Sequence, residues 1–347
     1  MIHVGIIGCG KIAQVRHIPE YEDNPNAQIT GFFDLNHDRA VQLAKEHGGK
    51  AFSSVEELLQ DSEIDAVSVC VANSVHADIT IQALKAGKHV LCEKPMATTL
   101  EDCEKMVKAA RDSHRYLMID QNQRFARAHV KAKELLDEGV IGKVLTFRTI
   151  FGHGGPETWS IDPGKSTWFF DRKKAAMGAM ADLGVHKTDL IQWLTNSRVA
   201  ETEAFVTTLD KRDASGNLIG VDDNSICIYR MENGVVGTMT ASWTYYGQED
   251  NSTTLYGTKG IMKIYSNPDY SIEVVLRSGE KVFYQLDQIQ TNDHQTKSGV
   301  IDEFVSSLEE DRNPAVSGEN VLAAMRAVFA SLKSSEEKRA VEVDQSI

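Results

Sequence analysis

The sequence predicts two unlike architectures in series: a parallel α/β domain with helices on both faces over residues 1–120, then an α+β domain with a large, mostly antiparallel sheet over residues 121–347. Three observations predict this. Short apolar runs alternate with helical patterns up to Asp120, a glycine-rich turn follows the first run after seven residues, and beyond residue 200 strands arrive in series with short turn-forming linkers.

Ile2 to Gly8, Gln28 to Asp34, Asp65 to Val71, His89 to Cys92 and Tyr116 to Asp120 read as strands, and unbroken apolar stretches such as AVSVCVA predict burial on both faces. Apolar residues at three and four spacing, as in Leu100, Cys103, Met106, Val107 and Ala110, predict the intervening helices. After Asp120 come a helix near Ala128 to Glu138, a strand over Val144 to Ile150, a Gly- and Pro-rich loop, and a helix from about Met177 to Leu194. Strands over Glu201 to Leu209, Asn224 to Met231, Val235 to Trp243, Ser252 to Tyr256, Ile261 to Tyr265, Ile272 to Leu276 and Lys281 to Gln285 follow, joined by linkers such as Glu-Asn-Gly and Ser-Gly-Glu, which predict an antiparallel meander. Two helices close the chain, the last with Ser317 as its N-cap.

Thirty-seven Lys plus Arg against 50 Asp plus Glu give a net charge of −13, which argues against a nucleic-acid or anionic-membrane partner. The five cysteines form no CxxC pair, so buried reduced thiols are expected rather than a disulfide framework or zinc site. The first residues, MIHVGIIGCGKIA, have neither a basic leader nor a long apolar span, so a cytoplasmic protein is expected.

Gly8-Cys9-Gly10-Lys11-Ile12-Ala13 sits where a strand ends and a helix begins, the context that a Rossmann dinucleotide-binding turn requires. The first glycine permits the tight turn, the second lets backbone approach a pyrophosphate, and Ala13 lets the helix lie close to the sheet. Free N–H groups at the helix start, Lys11 and Ile12 among them, suit phosphate oxygens. Asp34, 26 positions after Gly8, would accept from ribose hydroxyls and repel a 2′-phosphate, which favours NAD over NADP. Ala72, Asn73 and His76 follow one strand and Glu93-Lys94 ends the next, at the edge where open α/β sheets bind ligands. Asp182 and His186, four apart on a helix, share one face; the imidazole could take a hydroxyl proton and the carboxylate orient it. A metal on Asp182, His186 and Asp189 is disfavoured, because one helix face supplies too few ligands, so none is expected.

Together GxGxxA after the first strand, Asn73-x-x-His76, AGKHVLCEKP with its Glu93-Lys94-Pro95, and Asp182-x-Gly-x-His186 resemble the Gfo/Idh/MocA family of oxidoreductases, and the likeness continues through TKGIMKIY and PAVSGEN. The resemblance implies an NAD-binding Rossmann domain followed by an open-faced sheet domain for substrate binding and oligomerisation. It assigns Lys94 as the catalytic lysine on the reacting oxygen, Asp182 and His186 as the aspartate and histidine of the active site, and Glu93 and Asn122 as cofactor neighbours. Arg124 is left to pair with a carboxylate between domains or to contact substrate, and Trp168, with Trp159 and Phe169, to stack on a sugar ring or pack the interdomain wall. Where many relatives carry a glycine run before the aspartate, this chain keeps only Gly178.

The expected activity is hydride transfer between a secondary hydroxyl of a sugar, sugar derivative or inositol-like cyclitol and the nicotinamide, by a homodimer or homotetramer assembled through the second domain's sheet. Alternatives are a sugar epimerase, lyase or glycosidase using transient oxidation, and a non-catalytic dinucleotide-sensing regulator. The regulator has no need of Lys94, Asp182 and His186 together.

Overall fold

The computed structural model describes residues 1–288 and 297–345. They divide into one unit of residues 1–122 with 297–322 and another of residues 123–288 with 323–345. The expected cut near residue 120 is therefore crossed twice: the chain returns to its first unit before ending in its second. The return has a polar anchor, since Glu20 accepts from the Ser298 N–H at 2.7 Å and Asp302 accepts from the Asn24 amide at 2.8 Å.

In the first unit β1 (Ile2–Ile7), β2 (Ala27–Phe33), β3 (Lys50–Ala51), β4 (Ala66–Val69), β5 (His89–Cys92) and β6 (Leu117–Ile119) form a parallel sheet in the order β3-β2-β1-β4-β5-β6. Every residue of β4 is buried, as its apolar run requires. The crossovers are α1 (Ile18–Asp23), α2 (His37–His47), α3 (Val55–Gln60), α4 (His76–Lys85) and α5 (Leu100–Ser113). Ser54 and Thr99 cap two of them by accepting from the N–H groups of Glu57 and Asp102. Strand order reverses beside β1, so the glycine turn leaves the sheet at its switch point. The helix entered from that turn is not regular: Ala13–His17 form a π turn before α1 begins.

In the second unit α6 (Arg127–Asp137), β7 (Val144–Gly152) and α7 (Arg172–Ala175) precede a second π turn, Met180–Gly184, which runs straight into α8 (Val185–Thr195). β8 (Val199–Thr207), β9 (Asn224–Met231), β10 (Val236–Ser242), β11 (Thr253–Gly257), β12 (Gly260–Ile264), β13 (Ile272–Leu276), β14 (Lys281–Tyr284) and β15 (Val341–Glu342) complete a nine-stranded sheet ordered β14-β13-β12-β11-β7-β10-β9-β8-β15. The sheet is not the single meander the linkers suggest. β7 lies between two meanders, antiparallel to β11 but parallel to β10, with Thr146 opposite Val236.

Along β9 the side chains alternate: Cys227, Tyr229 and Met231 are buried while Ile226, Ile228 and Arg230 face outward. The last helix, Gly318–Glu337, follows its expected cap, Ser317 accepting from the Asn320 N–H. Its Ser334 accepts from the Ala204 N–H at 3.0 Å, tying its later turns to β8.

Candidate active site

In the first unit the predicted residues gather at the C-terminal ends of the strands. Gly8 has φ +92°, and a Cβ there would lie 2.6 Å from the Cys70 carbonyl oxygen, so this position requires glycine. A Cβ on Gly10 would meet nothing within 4 Å, which leaves open room against the backbone where a pyrophosphate fits. Lys11 and Ile12 open the helix after the turn. Asp34, just past β2, accepts from the Cys9 N–H and the Asn36 N–H, each at 2.7 Å, so the glycine turn and the acidic residue are locked to one another. Arg39 stands 3.5 Å from the same carboxylate.

Ala72 precedes the short 3₁₀ turn Asn73–Val75 after β4. His76 is buried with Nδ1 2.7 Å from the Pro95 carbonyl and Nε2 3.0 Å from the Val71 carbonyl. Burial draws its pKa down against the pull of those carbonyls. Its ring thus ties the loop after β4 to the loop after β5. Glu93 is buried, Lys94 half-buried, and the Lys94 N–H donates to Glu93 Oε2 at 3.1 Å. Asn122 follows β6, and its buried Oδ1 has no hydrogen-bond partner among the described residues. An open glycine turn, an acid beyond β2 and an unsatisfied amide oxygen fit a dinucleotide.

In the second unit Asp182 lies inside the π turn and His186 on the first turn of α8, both buried. The expected continuous α-helix is widened at the aspartate. Asp222 makes this possible: its carboxylate accepts from the Gly178 and Met180 N–H groups at 2.7 Å each and from Ser225 Oγ at 3.0 Å. A Cβ on Gly178 would lie 1.9 Å from the Asp222 carbonyl oxygen, which explains why that one glycine stands before the aspartate. Trp243 Nε1 donates to Asp182 Oδ2 at 3.0 Å, and His153 Nε2 lies 3.7 Å from the same oxygen. The Gly155 N–H donates to His153 Nδ1 at 2.9 Å, so that nitrogen is the unprotonated one.

Arg124 makes a two-pronged ion pair with Asp189, Nε to Oδ2 at 2.6 Å and Nη2 to Oδ1 at 2.5 Å, inside this unit. Arg124 thus pairs with a carboxylate, but within one unit rather than between domains as expected. Lys187, next to His186, is fully buried, donates to the Asn251 carbonyl at 3.0 Å and has its pKa lowered by burial to about 7. Trp168 stacks on Phe169 with ring centroids 4.0 Å apart, and Phe169 meets Trp159 edge-on, so Trp168 belongs to an aromatic cluster that leaves it half-buried.

Arg16, His17, Asp120, His153, Asp222 and Trp243 escaped sequence reading. One signal was present: His17 falls four after Ala13 and four before Tyr21, in a stripe whose other members are apolar and buried. The others have no local signature.

The chain matches two family models in succession, "Oxidoreductase family, NAD-binding Rossmann fold" over residues 2–121 and "GFO/IDH/MocA C-terminal domain" over residues 129–263. It belongs to the Gfo/Idh/MocA oxidoreductase family. It is 27% identical to a myo-inositol 2-dehydrogenase of Thermotoga maritima over 100% of both chains, and 28% identical to a 1,5-anhydro-D-fructose reductase of Ensifer adhaerens over 99% of both. The solved structure of levoglucosan dehydrogenase in complex with NADH and levoglucosan shares its fold, with TM-score 0.87 and 24% identity over 99% of this chain and 100% of that one.

Proposed function

We propose that the protein is an NAD-dependent dehydrogenase acting on a secondary hydroxyl of a sugar, sugar derivative or cyclitol. The observation that carries this is the buried Asp182–His186 pair, one helical turn apart, in a chain of a family with an NAD-binding Rossmann fold. The full-length relatives named for an inositol and an anhydro-sugar support the substrate class.

Gly8, Gly10 and the helix start at Lys11 would hold the pyrophosphate, Asp34 the ribose hydroxyls, and Ala72, Asn73, His76, Glu93 and Asn122 the rim toward the nicotinamide. NAD, when bound, supplies the hydride acceptor. His186 takes the hydroxyl proton as general base, and Lys94 steadies the negative charge that develops on the same oxygen. Asp182, with Oδ2 fixed by the Trp243 N–H, orients the imidazole and a second substrate hydroxyl. Trp168 offers a ring face to sugar C–H groups, while Arg124, held by Asp189, shapes the wall.

The outward face of the nine-stranded sheet supports assembly as a homodimer or homotetramer. Phe205 is 72% exposed beside Ile226 at 50%, with Ile228 on the same strand and Val236 on the next also exposed on that face. Five cysteines, all buried and unbridged, fit a reducing compartment such as the cytoplasm. Among the described residues no helix is long and apolar enough to cross a membrane.

The test is a panel of inositols, anhydro-sugars, aldoses and polyols assayed for NADH absorbance with NAD and NADP side by side, with Lys94→Ala as control. NADH formation from one substrate class, abolished by Lys94→Ala while NAD affinity is retained, is expected. Substrate conversion without NADH release would instead indicate transient oxidation, and unchanged turnover in Lys94→Ala would sink the assignment.

A further inference from the structure

Behind Lys94 lies a buried set of charged groups of which only Glu93 has so far been given a task, at the cofactor rim. His17 is 0% exposed, Asp120 1%, Glu93 5% and Arg16 8%. His17 Nε2 lies 3.1 Å from Glu93 Oε1 and 3.5 Å from Asp120 Oδ2, and Arg16 Nη1 lies 3.7 Å from that same Asp120 oxygen. On its other side His17 Nδ1 faces Ser68 Oγ at 3.2 Å, which is itself 2.8 Å from the Tyr21 hydroxyl.

Two carboxylates converging on one imidazole nitrogen are satisfied only if that nitrogen carries a proton. A charged His17 and Arg16 together would neutralise Glu93 and Asp120, which is the usual condition for burying two carboxylates. His17, Glu93 and Asp120 also lie close enough to one another to grip a metal ion. Arg16 beside Asp120 is the argument against it, since the guanidinium already supplies the positive charge a cation would bring.

We propose that His17 is a positioning residue for Lys94: it clamps Glu93 through Oε1, while Glu93 Oε2 accepts the Lys94 backbone N–H at 3.1 Å and so sets where the lysine leaves the sheet. The groups facing His17 are Glu93, Asp120, Cys70, Ser68 and Tyr21, with Arg16 next to it in the chain. Burial by itself would depress the His17 pKa, yet the groups around it raise it well above the ordinary value. Of the groups that raise it Cys70 comes first, followed by the hydrogen bonds to Asp120 and Glu93, while burial pushes the Cys70 thiol itself up. Glu93 responds in the opposite sense: burial would raise its pKa, and His17 brings it below the carboxylate range.

The proposal rests on the reading of Lys94 as the group that holds the reacting oxygen, and its test separates the two. With the best substrate of the panel, His17→Gln should lower kcat roughly 10- to 100-fold with little change in sugar KM, because misplacing a catalytic group by about 1 Å costs that much. In a Lys94→Ala background the same substitution should add almost nothing, the signature of two residues acting through one group. If Lys94→Ala leaves turnover intact, the functional reading fails. If Lys94→Ala is inactive but His17→Gln keeps full kcat, or the two losses multiply, the positioning role alone fails. NMR of wild-type protein labelled at histidine nitrogen needs no variant: both His17 nitrogens should stay protonated from pH 6 through 8. A neutral ring, or an equivalent of bound transition metal by elemental analysis, would overturn the proposal.

Discussion

The chain widens a helix twice, at Ala13–His17 and at Met180–Gly184, and the two π turns carry opposite loads. The first turns Arg16 and His17 inward against Glu93 and Asp120, so that its charges meet charges and are sealed from water. The second turns an acid inward, where its Oδ2 accepts from the Trp243 N–H and lies 3.7 Å from His153 Nε2. A π turn inserts one residue into a helix and re-aims the side chains beyond it, which is why such turns gather at working sites. Under the proposed function, one backbone device thus serves support in one unit and reactivity in the other. In the first, Glu93 is held against both His17 and the Lys94 backbone N–H; in the second, one oxygen of Asp182 is fixed by a tryptophan N–H.

The largest expected effect tests the reactive turn. His186→Ala should lower kcat by about 10²- to 10⁴-fold, the usual worth of a positioned general base, with NAD affinity by fluorescence titration unchanged. A loss confined to KM would move His186 from proton transfer to simple binding.

Next is the brace of that turn. Asp222→Ala leaves the buried Gly178 and Met180 N–H groups without their acceptor and should cost about 3 kcal/mol in urea unfolding, together with activity. Stability lost with full activity retained would show that Asp182 does not depend on the π geometry.

A smaller, pH-dependent effect separates the two units by sign. His17 has a raised pKa, so its contribution is complete below its unfolded value near 6.5 and is lost as pH climbs through the folded value. Lys187 has a pKa lowered to about 7, so the unfolded state binds the extra proton above that pH and stability rises toward pH 10. Each slope is at most about 1.4 kcal/mol per pH unit. Thermal melts of Lys187→Met should lose the rising slope and those of His17→Gln the falling one; the same slope vanishing in both would collapse the distinction.

The smallest effect concerns cofactor choice. Asp34→Ser should raise kcat/KM for NADP relative to NAD by about tenfold, with Arg39 released toward a 2′-phosphate. No change in that ratio would remove Asp34 from cofactor selection.

Much of this molecule is legible in its sequence. Strands such as His89–Cys92, Asn224–Met231 and Ile272–Leu276 fall where their patterns put them, and Glu93, Lys94, Asp182 and His186 can be singled out as candidates because strand ends and i, i+4 spacing are local features. Neither π turn is legible, because one extra residue in a helical turn leaves apolar spacing almost unchanged over so short a stretch. The place of β7 inside its sheet is hidden for a different reason, since a strand's neighbours are decided by partners about 90 to 110 residues away. Asp222 looks like any loop acid, and only the N–H groups of Gly178 and Met180 give it a task.

The two-residue strand β15 has a consequence for how the protein can be handled. Val341 and Glu342 pair with Thr202 and Glu201 and occupy part of the ladder that β8 would otherwise offer at the rim of its sheet. Shortening the chain before Val341 would bare those peptide groups beside the exposed Phe205 and make a template for adventitious strand addition. An affinity handle intended to preserve solubility therefore belongs beyond this strand, never in place of it.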